Sequence, residues 1–204
     1  MMSKNVLPIS LFWRAWLRRP REVGALLPSG SGLCTAMAAQ VESGFGSVVE
    51  LGAGTGVLTQ ALLAKGIAAN RLCLIEKSPA MAGLLKQRFP HVRVLQDDAS
   101  RLRQLISLHG IDQPVTLVSS LPLLSLPRRQ RLRVLSEMAA ILPEGGRLIQ
   151  FTYSPQPPLA LPLTTTLGLK GQRTSWVIMN LPPAAVWVYT KQSQVIHNVE
   201  EHAA

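Results

Sequence analysis

Short apolar runs alternate with longer mixed segments between residues 47 and 152, and this alternation predicts strands separated by helices. The five predicted strands comprise residues 47–51, 71–76, 92–96, 115–119 and 146–152. The helices predicted between them comprise residues 57–65, 79–89, 100–109 and 128–142. Strands that alternate with helices form a parallel sheet covered on both faces, because right-handed crossovers place the helices there.

The pattern changes after residue 153. Residues 155–171 contain four prolines and three consecutive threonines, a composition that disfavours a regular helix. Residues 174–179 and 185–189 then read as two strands joined around Asn180 to Pro183. They predict an antiparallel hairpin at the edge of the sheet, which brings the expected number of strands to seven.

Two helical stretches precede the first strand. Residues 6–19 place tryptophan, phenylalanine and leucine on one side and arginines largely on the other, and Pro20 would end this helix. This pattern is typical of a helix that lies on a membrane surface, although a helix packed on its own domain with solvated arginines fits it too. The second stretch is residues 31–43. We therefore divide the chain into an N-terminal amphipathic helix (1–22), a main domain (23–192) and a flexible tail (193–204).

The composition excludes several classes of protein. The 204 residues are 47% hydrophobic, enough for a core, and their net charge of +10 favours an anionic partner. The sequence contains no run of ~18 apolar residues, so no membrane-spanning helix is expected. Two cysteines, Cys34 and Cys73, are too few for a disulfide framework and lack metal-ligand spacing, which favours the cytoplasm.

The segment from Glu50 to Gly56 is the most informative turn in the sequence. Glycines at positions 52, 54 and 56 allow a tight turn and close approach of a ligand beside a helix N-terminus. A dinucleotide fingerprint would need its third glycine at residue 57, which is valine. The observed spacing, preceded by an acid, resembles motif I of class I S-adenosylmethionine-dependent methyltransferases. A bare structural turn explains this segment equally well when it is taken alone.

Acidic residues also end the next two predicted strands. Glu76 ends the second strand, where a carboxylate can accept both hydroxyls of a ribose. Asp97 and Asp98 end the third, where the methyltransferase pattern places the acid that binds the adenine amine. Each of these acids is individually compatible with an ordinary surface position. Acids at three successive strand ends share the sheet edge where ligands bind, which favours a nucleoside cofactor.

Six segments carry a closer resemblance, and they cover roughly residues 20 to 190. They are Val23-Gly-Ala-Leu-Leu-Pro-Ser29, the 50–56 turn, Gln96-Asp-Asp-Ala99, Ser119-Ser-Leu-Pro-Leu-Leu124, Gln150-Phe-Thr-Tyr153 and the 180–189 segment beginning Asn-Leu-Pro-Pro. Together they resemble the bacterial phospholipid N-methyltransferases of the short type related to rRNA adenine dimethyltransferases. The resemblance implies a Rossmann-like class I methyltransferase fold. It also implies an enzyme that methylates phosphatidylethanolamine stepwise with S-adenosylmethionine, peripheral on the inner face of the plasma membrane.

The resemblance also implies roles for individual residues. The cofactor would be bound by Pro28 and Ser29 as a lid, by Glu50, Gly52, Gly54 and Gly56, by Glu76, and by Asp97, Asp98 and Ala99. The methyl-transfer centre would be framed by Ser119, Leu121, Pro122 and Tyr153. Asp97 stands where the pattern usually has glycine, and no metal is expected. Proton removal from the amine is left open between Tyr153, Asp98 and a water relay.

Two other functions compete with lipid methylation. The first is adenine N-methylation of rRNA or another nucleic acid. Base-modifying enzymes stack an aromatic ring on the target base, and Leu123 occupies the position of that ring here. Nucleic acid is therefore favoured less than lipid as the partner. The second is a non-catalytic protein with a cofactor fold that docks on membranes. The arginines at 128, 129, 131 and 133 suit lipid phosphate or RNA phosphate equally.

Overall fold

The computed structural model describes residues 30–42, 46–111, 114–178, 180 and 182–193. Within these ranges the helices are α1 (Gly30–Ala39), α2 (Val57–Ala64), α3 (Pro79–Arg88), α4 (Leu102–Leu108), α5 (Arg128–Ile141) and α6 (Leu161–Thr166). The strands are β1 (Ser47–Leu51), β2 (Leu72–Glu76), β3 (Arg93–Gln96), β4 (Pro114–Ser119), β5 (Arg147–Thr152), β6 (Leu169–Val177) and β7 (Ala184–Lys191). The predicted N-terminal helix and residues 194–204 of the predicted tail lie outside the described residues.

All seven strands form one sheet in the order β3-β2-β1-β4-β5-β7-β6. Strands β1 to β5 pair in parallel, while β7 pairs antiparallel with both β5 and β6. The mostly parallel sheet and the C-terminal edge hairpin are therefore confirmed. The strand order reverses beside β1, and ligands of open α/β sheets bind at the carboxyl ends of the strands at such a point.

Two hydrophobic clusters cover the two faces of the sheet. Val48 belongs to the cluster that includes the buried leucines of α1, α2 and α3, whereas Val49 belongs to the cluster that includes those of α4 and α5. Successive strand residues point to opposite faces, so a strand buried on both sides needs an unbroken apolar run. This is why the sequence of β1 shows no alternation of polar and apolar residues.

The segment from residue 155 to residue 171 departs from the prediction. A regular helix was disfavoured there, but Leu161–Thr166 forms one. Its proline lies in the first turn, where the missing N–H has no intrahelical partner to lose. The hydroxyls of Thr164 and Thr165 both donate to the carbonyl of Leu161, so these polar groups find partners within the helix. Strand β6 also begins at Leu169, five residues earlier than the predicted start at 174.

Other boundaries shift by a few residues. The predicted helix at 31–43 spans Gly30–Ala39, and the predicted helix at 100–109 opens with a 3₁₀ turn over Ala99–Arg101. In the part of the chain that the structure describes, no helix combines the length and apolar character needed to cross a bilayer.

Candidate active site

A cleft of about 370 Å³ lies at the carboxyl edge of β1 to β4. The turn after β1, the ends of β2 and β3 and the loop after β4 all contribute to its walls. Eight of the residues proposed from sequence line this cleft: Gly52, Gly54, Glu76, Asp97, Asp98, Ala99, Leu121 and Pro122. The sheet topology thus brings together residues that are as many as 70 positions apart in the chain.

The glycine turn lies directly against the loop after β4. Gly52 has a φ of 73° and Gly54 a φ of 54°, values in the left-handed region that favours glycine. A Cβ atom at Gly52 would lie 2.8 Å from Cδ2 of Leu121. The Gly52 N–H donates to the carbonyl of Ile75 at 2.8 Å, which ties the turn to β2. The turn therefore has a fixed position and cannot accept a side chain at residue 52.

Glu76 joins the glycine turn to the end of β2. Its Oε2 accepts a hydrogen bond from the Gly54 N–H at 2.9 Å, and its Oε1 accepts one from the Ser78 N–H at 2.8 Å. The side chain is buried but lines the cleft. A carboxylate has about four acceptor positions, so two remain for the hydroxyls of a ribose.

The two aspartates after β3 have different partners. Asp98 forms an ion pair with Lys77 (Nζ to Oδ2, 2.8 Å) and accepts a hydrogen bond from the Ser100 N–H. Partial burial raises the pKa of Asp98, but the bonds from Lys77 and Ser100 outweigh it and lower the pKa to about 2. Asp97 instead accepts hydrogen bonds from Arg101 at 3.1 and 3.2 Å. Asp98 is therefore fully ionised at neutral pH and a weak proton acceptor.

Glu50 lies beneath the cleft and does not line it. It is fully buried, and its Oε2 accepts a 2.7 Å hydrogen bond from the Thr59 hydroxyl. Within the described residues its Oε1 has no hydrogen-bond partner. Burial raises the pKa of Glu50 to about 8; the Thr59 bond opposes this shift, and the nearby charge of Glu76 adds to it. An unsatisfied buried oxygen of this kind fits a cationic group such as the ammonium of an amino-acid moiety.

Two other predicted residues support the cleft from outside. Gly56 caps the start of α2 with a φ of 83°, and it packs against Leu85 and Phe89. Ser119 is fully buried, and its hydroxyl accepts a 3.3 Å hydrogen bond from the Leu121 N–H. Neither Gly56 nor Ser119 lines the cleft. Pro28 and Ser29 lie outside the described residues, so their predicted role as a lid stays a prediction.

A second cleft, of about 250 Å³, adjoins the first. Leu121 and Pro122 line both clefts, and the second also receives Phe151, Tyr153 and Leu124. None of its lining residues carries a charge: they are Leu121, Pro122, Leu123, Leu124, Ser125, Phe151, Thr152, Tyr153, Ser154 and Pro158. The predicted centre residues Leu121, Pro122 and Tyr153 therefore all line the second cleft, and Leu121 and Pro122 also line the first.

Gln150 fixes the wall between the clefts. It is almost fully buried on β5, opposite Ser119 on β4, and its Nε2 donates to the carbonyl of Leu121 at 3.1 Å. The same nitrogen donates to the carbonyl of Phe151 at 3.0 Å. One side chain thus holds the loop after β4 and the end of β5 together.

Several residues that line the first cleft were not predicted from the sequence. Ser120 lies between two predicted residues and lines the cleft, whereas its neighbour Ser119 does not. Lys77, Met81 and Gln130 also line it. Ser120 could have been predicted, because it lies one residue past the end of a strand and the loops at strand ends contact ligands in sheets of this kind. No local pattern marked Met81 or Gln130, which reach the cleft from helices α3 and α5.

Comparison with known proteins shows similarity to methyltransferases. Residues 48–146 match a family model described as a methyltransferase domain. An ornithine lipid N-methyltransferase from Singulisphaera acidiphila is 32% identical over 111 residues, which are 53% of this chain and 58% of that protein. The chain thus spans a little over half the length of this curated relative.

Solved structures share the fold at low sequence identity. A 1,6-didemethyltoxoflavin N1-methyltransferase from Burkholderia thailandensis, with S-adenosylhomocysteine bound, has a TM-score of 0.65 and 15% identity, covering 90% of this chain and 87% of that one. The N-methyltransferase NodS from Bradyrhizobium japonicum, also with S-adenosylhomocysteine, has a TM-score of 0.59 and 17% identity, covering 81% and 89%. The predicted Rossmann-like methyltransferase fold is confirmed.

Proposed function

We propose that this chain, whose residues 48–146 match a methyltransferase domain, transfers a methyl group from S-adenosylmethionine to the amine of a lipid. The observation that carries the proposal is the convergence of the glycine turn, Glu76 and Asp98 on one cleft that adjoins a second, uncharged cleft. The lipid N-methyltransferase from Singulisphaera acidiphila supports an amine-bearing lipid as acceptor.

The first cleft suits each part of this cofactor. Glu76 would accept hydrogen bonds from the ribose hydroxyls, and Asp98 would accept one from the adenine amine. The turn at Gly52 and Gly54 would contact the amino-acid part of the cofactor. The orphaned oxygen of Glu50 would face the ammonium. When bound, S-adenosylmethionine supplies an electrophilic methyl group on a sulfonium. The protein's contribution is then to orient the acceptor and exclude water.

The second cleft suits an uncharged amine. An alkyl ammonium has a pKa of about 10, so the acceptor must lose a proton before its nitrogen can attack. Burial raises the pKa of Tyr153 above its ordinary value, which keeps the phenol protonated at neutral pH. Asp98 is ionised with a pKa of about 2. Of the three candidates for proton removal, these shifts disfavour the two side chains and favour a water relay.

We assign phosphatidylethanolamine and its methylated derivatives as the acceptors. This assignment rests on the resemblance of the 119–124, 150–153 and 180–189 segments to phospholipid N-methyltransferases. The kinship with rRNA adenine dimethyltransferases is part of the same hypothesis. Leu123, at the position of the base-stacking aromatic, is only 2% exposed where it lines the second cleft, and its aliphatic side chain cannot stack on a flipped base. A lipid amine is therefore favoured over adenine.

We also propose that the enzyme binds anionic membrane surfaces through its N-terminal amphipathic helix. That helix lies outside the described residues, and the support comes from its pattern of tryptophans and arginines. Arg128 and Arg129 at the start of α5 are exposed and add positive charge close to the second cleft, since Leu124 and Ser125 line it. The inner face of the plasma membrane is anionic and would attract these positively charged residues.

A lipid methylation assay tests the proposed function. With labelled S-adenosylmethionine, we expect label in the lipid extract of vesicles that contain phosphatidylethanolamine, and more label when phosphatidylglycerol is added. Mass spectrometry of the extract identifies the head group and the number of methyl groups. Ribosomal RNA incubated in parallel serves as the competing acceptor. Label that appears in RNA alone would overturn the proposal.

Cofactor binding is expected to depend on pH through Glu50. Its raised pKa of about 8 leaves the carboxyl protonated in the free protein at pH 6, whereas an ammonium beside it favours the ionised form. Binding at pH 6 should therefore release a proton, and affinity for S-adenosylhomocysteine should rise up to about tenfold per pH unit towards pH 8. Above pH 8 the Glu50 carboxyl is ionised in the free protein as well, so the affinity should level off.

Calorimetry in two buffers with different ionisation enthalpies measures this proton release directly. The Glu50→Gln variant keeps the size of the side chain but cannot ionise, so its affinity should not rise between pH 6 and pH 7 and its binding should release no proton. Proton release that persists in Glu50→Gln would assign the effect to another group.

A further inference from the structure

The carboxyl edge of the sheet is acidic on one half only. Glu76, Asp97 and Asp98 lie at the ends of β2 and β3 and line the first cleft. In contrast, neither residues 114–136 nor residues 145–199 contain an aspartate or glutamate, and these segments include β4 to β7 and the loops that line the second cleft. An anionic partner at the second cleft would therefore meet no like charge on those loops.

Three large apolar side chains are exposed on this acid-free half. Leu124 follows β4 and is 48% exposed, Trp176 lies near the end of β6 and is 41% exposed, and Ile178 directly follows β6 and is 76% exposed. Trp176 pairs with Ala185 of β7, and Ala185 also pairs with Thr152 of β5, which lines the second cleft. The apolar side chains therefore lie at the same sheet edge as the second cleft.

These side chains flank the second cleft on two sides. Leu124 lines it from the loop after β4, and Tyr153 and Ser154 line it from the end of β5. In the sheet, β5 and β7 separate β4 from β6, which corresponds to three inter-strand spacings or about 14 Å. The second cleft thus lies between Leu124 on one side and the end of β6 on the other.

Positive charge accompanies the apolar side chains on both sides of the cleft. Arg128 and Arg129 open α5, four and five residues past Leu124, and both are exposed. Cζ of Arg173 lies 5.3 Å from the ring centroid of Trp176. Tryptophan is favoured at the head-group level of a membrane, and arginine is attracted by anionic lipids. This combination therefore fits the interface of an anionic bilayer.

The charge also distinguishes this occupant from two others. Residues 1–21 carry five lysines and arginines and no acid, so the N-terminal segment would bring like charge to the arginines beside the second cleft. A second copy of the chain would bring the same arginines. Anionic lipids bring the opposite charge, and we therefore commit the surface to the membrane.

We infer that Leu124, Trp176 and Ile178 insert into the interface of an anionic bilayer, so that the second cleft opens onto the membrane and the first cleft opens to water. The inference deepens the proposed function and rests on it for the acceptor. A lipid amine at the level of the head groups reaches the second cleft without leaving the bilayer. The cofactor exchanges from the aqueous side.

Vesicle binding by the full chain tests the surface. In the double variant Trp176→Gln, Ile178→Gln we expect the apparent Kd for phosphatidylglycerol vesicles to rise about 10- to 100-fold, because burial of one large apolar side chain contributes roughly tenfold in affinity. The kcat/KM for phosphatidylethanolamine in these vesicles should fall in parallel. For monomeric dihexanoyl phosphatidylethanolamine it should change less than about twofold. If the double variant does not fold, Ile178→Gln alone takes its place, with an expected loss of about tenfold.

Leu108→Gln is the matched control. Leu108 is 71% exposed, but it ends α4, which leads into the start of β4, so it lies at the opposite edge of the sheet. Its affinity for vesicles should stay within about twofold of the wild-type value. The affinity for S-adenosylhomocysteine should be unchanged in both the double variant and the control, which verifies that the first cleft is intact.

A second pair of variants tests the charge. Arg128→Gln combined with Arg129→Gln should reduce the preference for phosphatidylglycerol over phosphatidylcholine vesicles by about 10- to 30-fold, since each cation near an anionic surface contributes about fivefold. Lys86→Gln removes an exposed cation from the last turn of α3, at the opposite edge, and should change this preference less than about twofold.

An environment-sensitive fluorophore reports insertion directly. When it is attached to Leu124→Cys or Ile178→Cys, its emission should shift to shorter wavelengths as phosphatidylglycerol vesicles are added. The same fluorophore on Leu108→Cys should not respond. Wild-type protein treated in the same way gives the background from Cys34 and Cys73.

The inference is overturned if the double variant binds vesicles like the wild type, or if the fluorophores at positions 124 and 178 do not respond. Emission that is already shifted before vesicles are added would show that the N-terminal segment or a second copy covers the surface, and would overturn it too. If the wild-type chain docks as expected but methylates no lipid, the proposed function fails and the docking surface stands. If it methylates phosphatidylethanolamine while the variants bind normally, only the inference is lost.

Discussion

Replacing Glu76 with alanine is expected to weaken the binding of S-adenosylhomocysteine by at least about 100-fold. The substitution removes the acceptor of the Gly54 and Ser78 N–H groups, and with it the proposed acceptor of the ribose hydroxyls. The bonds from Gly54 and Ser78 are present in the free protein too, so the loss of affinity comes from the two proposed ribose bonds. A hydrogen bond to a charged acceptor contributes about 1.5–3 kcal/mol, so the two together exceed the 2.7 kcal/mol that corresponds to 100-fold. Isothermal calorimetry measures the change.

One further variant shows whether the charge of Glu76 is needed for cofactor binding, and a second is a control. Glu76→Gln keeps one acceptor oxygen, and its affinity should lie between those of the wild type and Glu76→Ala. Glu144→Ala removes an exposed carboxylate away from the clefts and should bind like the wild type. Wild-type affinity in a folded Glu76→Ala variant would contradict the placement of the cofactor in the first cleft.

The Gly56→Ala substitution is expected to lower the free energy of unfolding by about 2–5 kcal/mol. A left-handed conformation, here with φ of 83°, costs a residue that has a Cβ about 1–2 kcal/mol. The new Cβ would also lie 2.5 Å from Cε2 of Phe89 and 2.9 Å from Cδ2 of Leu85, and overpacking of this kind costs about 1–3 kcal/mol. Urea unfolding monitored by circular dichroism measures the sum.

Gly66→Ala is the control for backbone strain alone. Gly66 has a φ of 97°, and a Cβ there would meet no atom within 4 Å. Its loss should therefore be only about 1–2 kcal/mol. If the two alanine variants were equally destabilised, Gly56 would be needed for its backbone conformation and not for the close packing of the turn on α3.

The sequence determines most of this fold because its strands are buried on both faces. A run such as Ser47 to Leu51 is mostly apolar, with Glu50 as its one charged residue, which makes it visible without any structure. The ends of such strands then identify the cleft, since the carboxyl ends of parallel strands share one edge. Glu76 and Asp98 were found in this way, and each lies where that reasoning placed it.

Other features depend on contacts that leave no local pattern. The helix at 161–166 was missed because its proline and threonines have low helix propensity, whereas in the structure the proline occupies the first turn and the threonine hydroxyls bond to preceding carbonyls. The bond from Gln150 to the Leu121 carbonyl joins two strands that are far apart in sequence.

The two shared residues, Leu121 and Pro122, form a partition that is one loop thick. A ligand designed to span it would need only a short linker between an adenosine at one end and an aliphatic amine at the other. The glycine at position 52 presses against this loop, and Gln150 holds it from behind, so the partition has little room to yield. Under the proposed function, we therefore expect the affinity of such a bisubstrate inhibitor to depend strongly on the length of its linker.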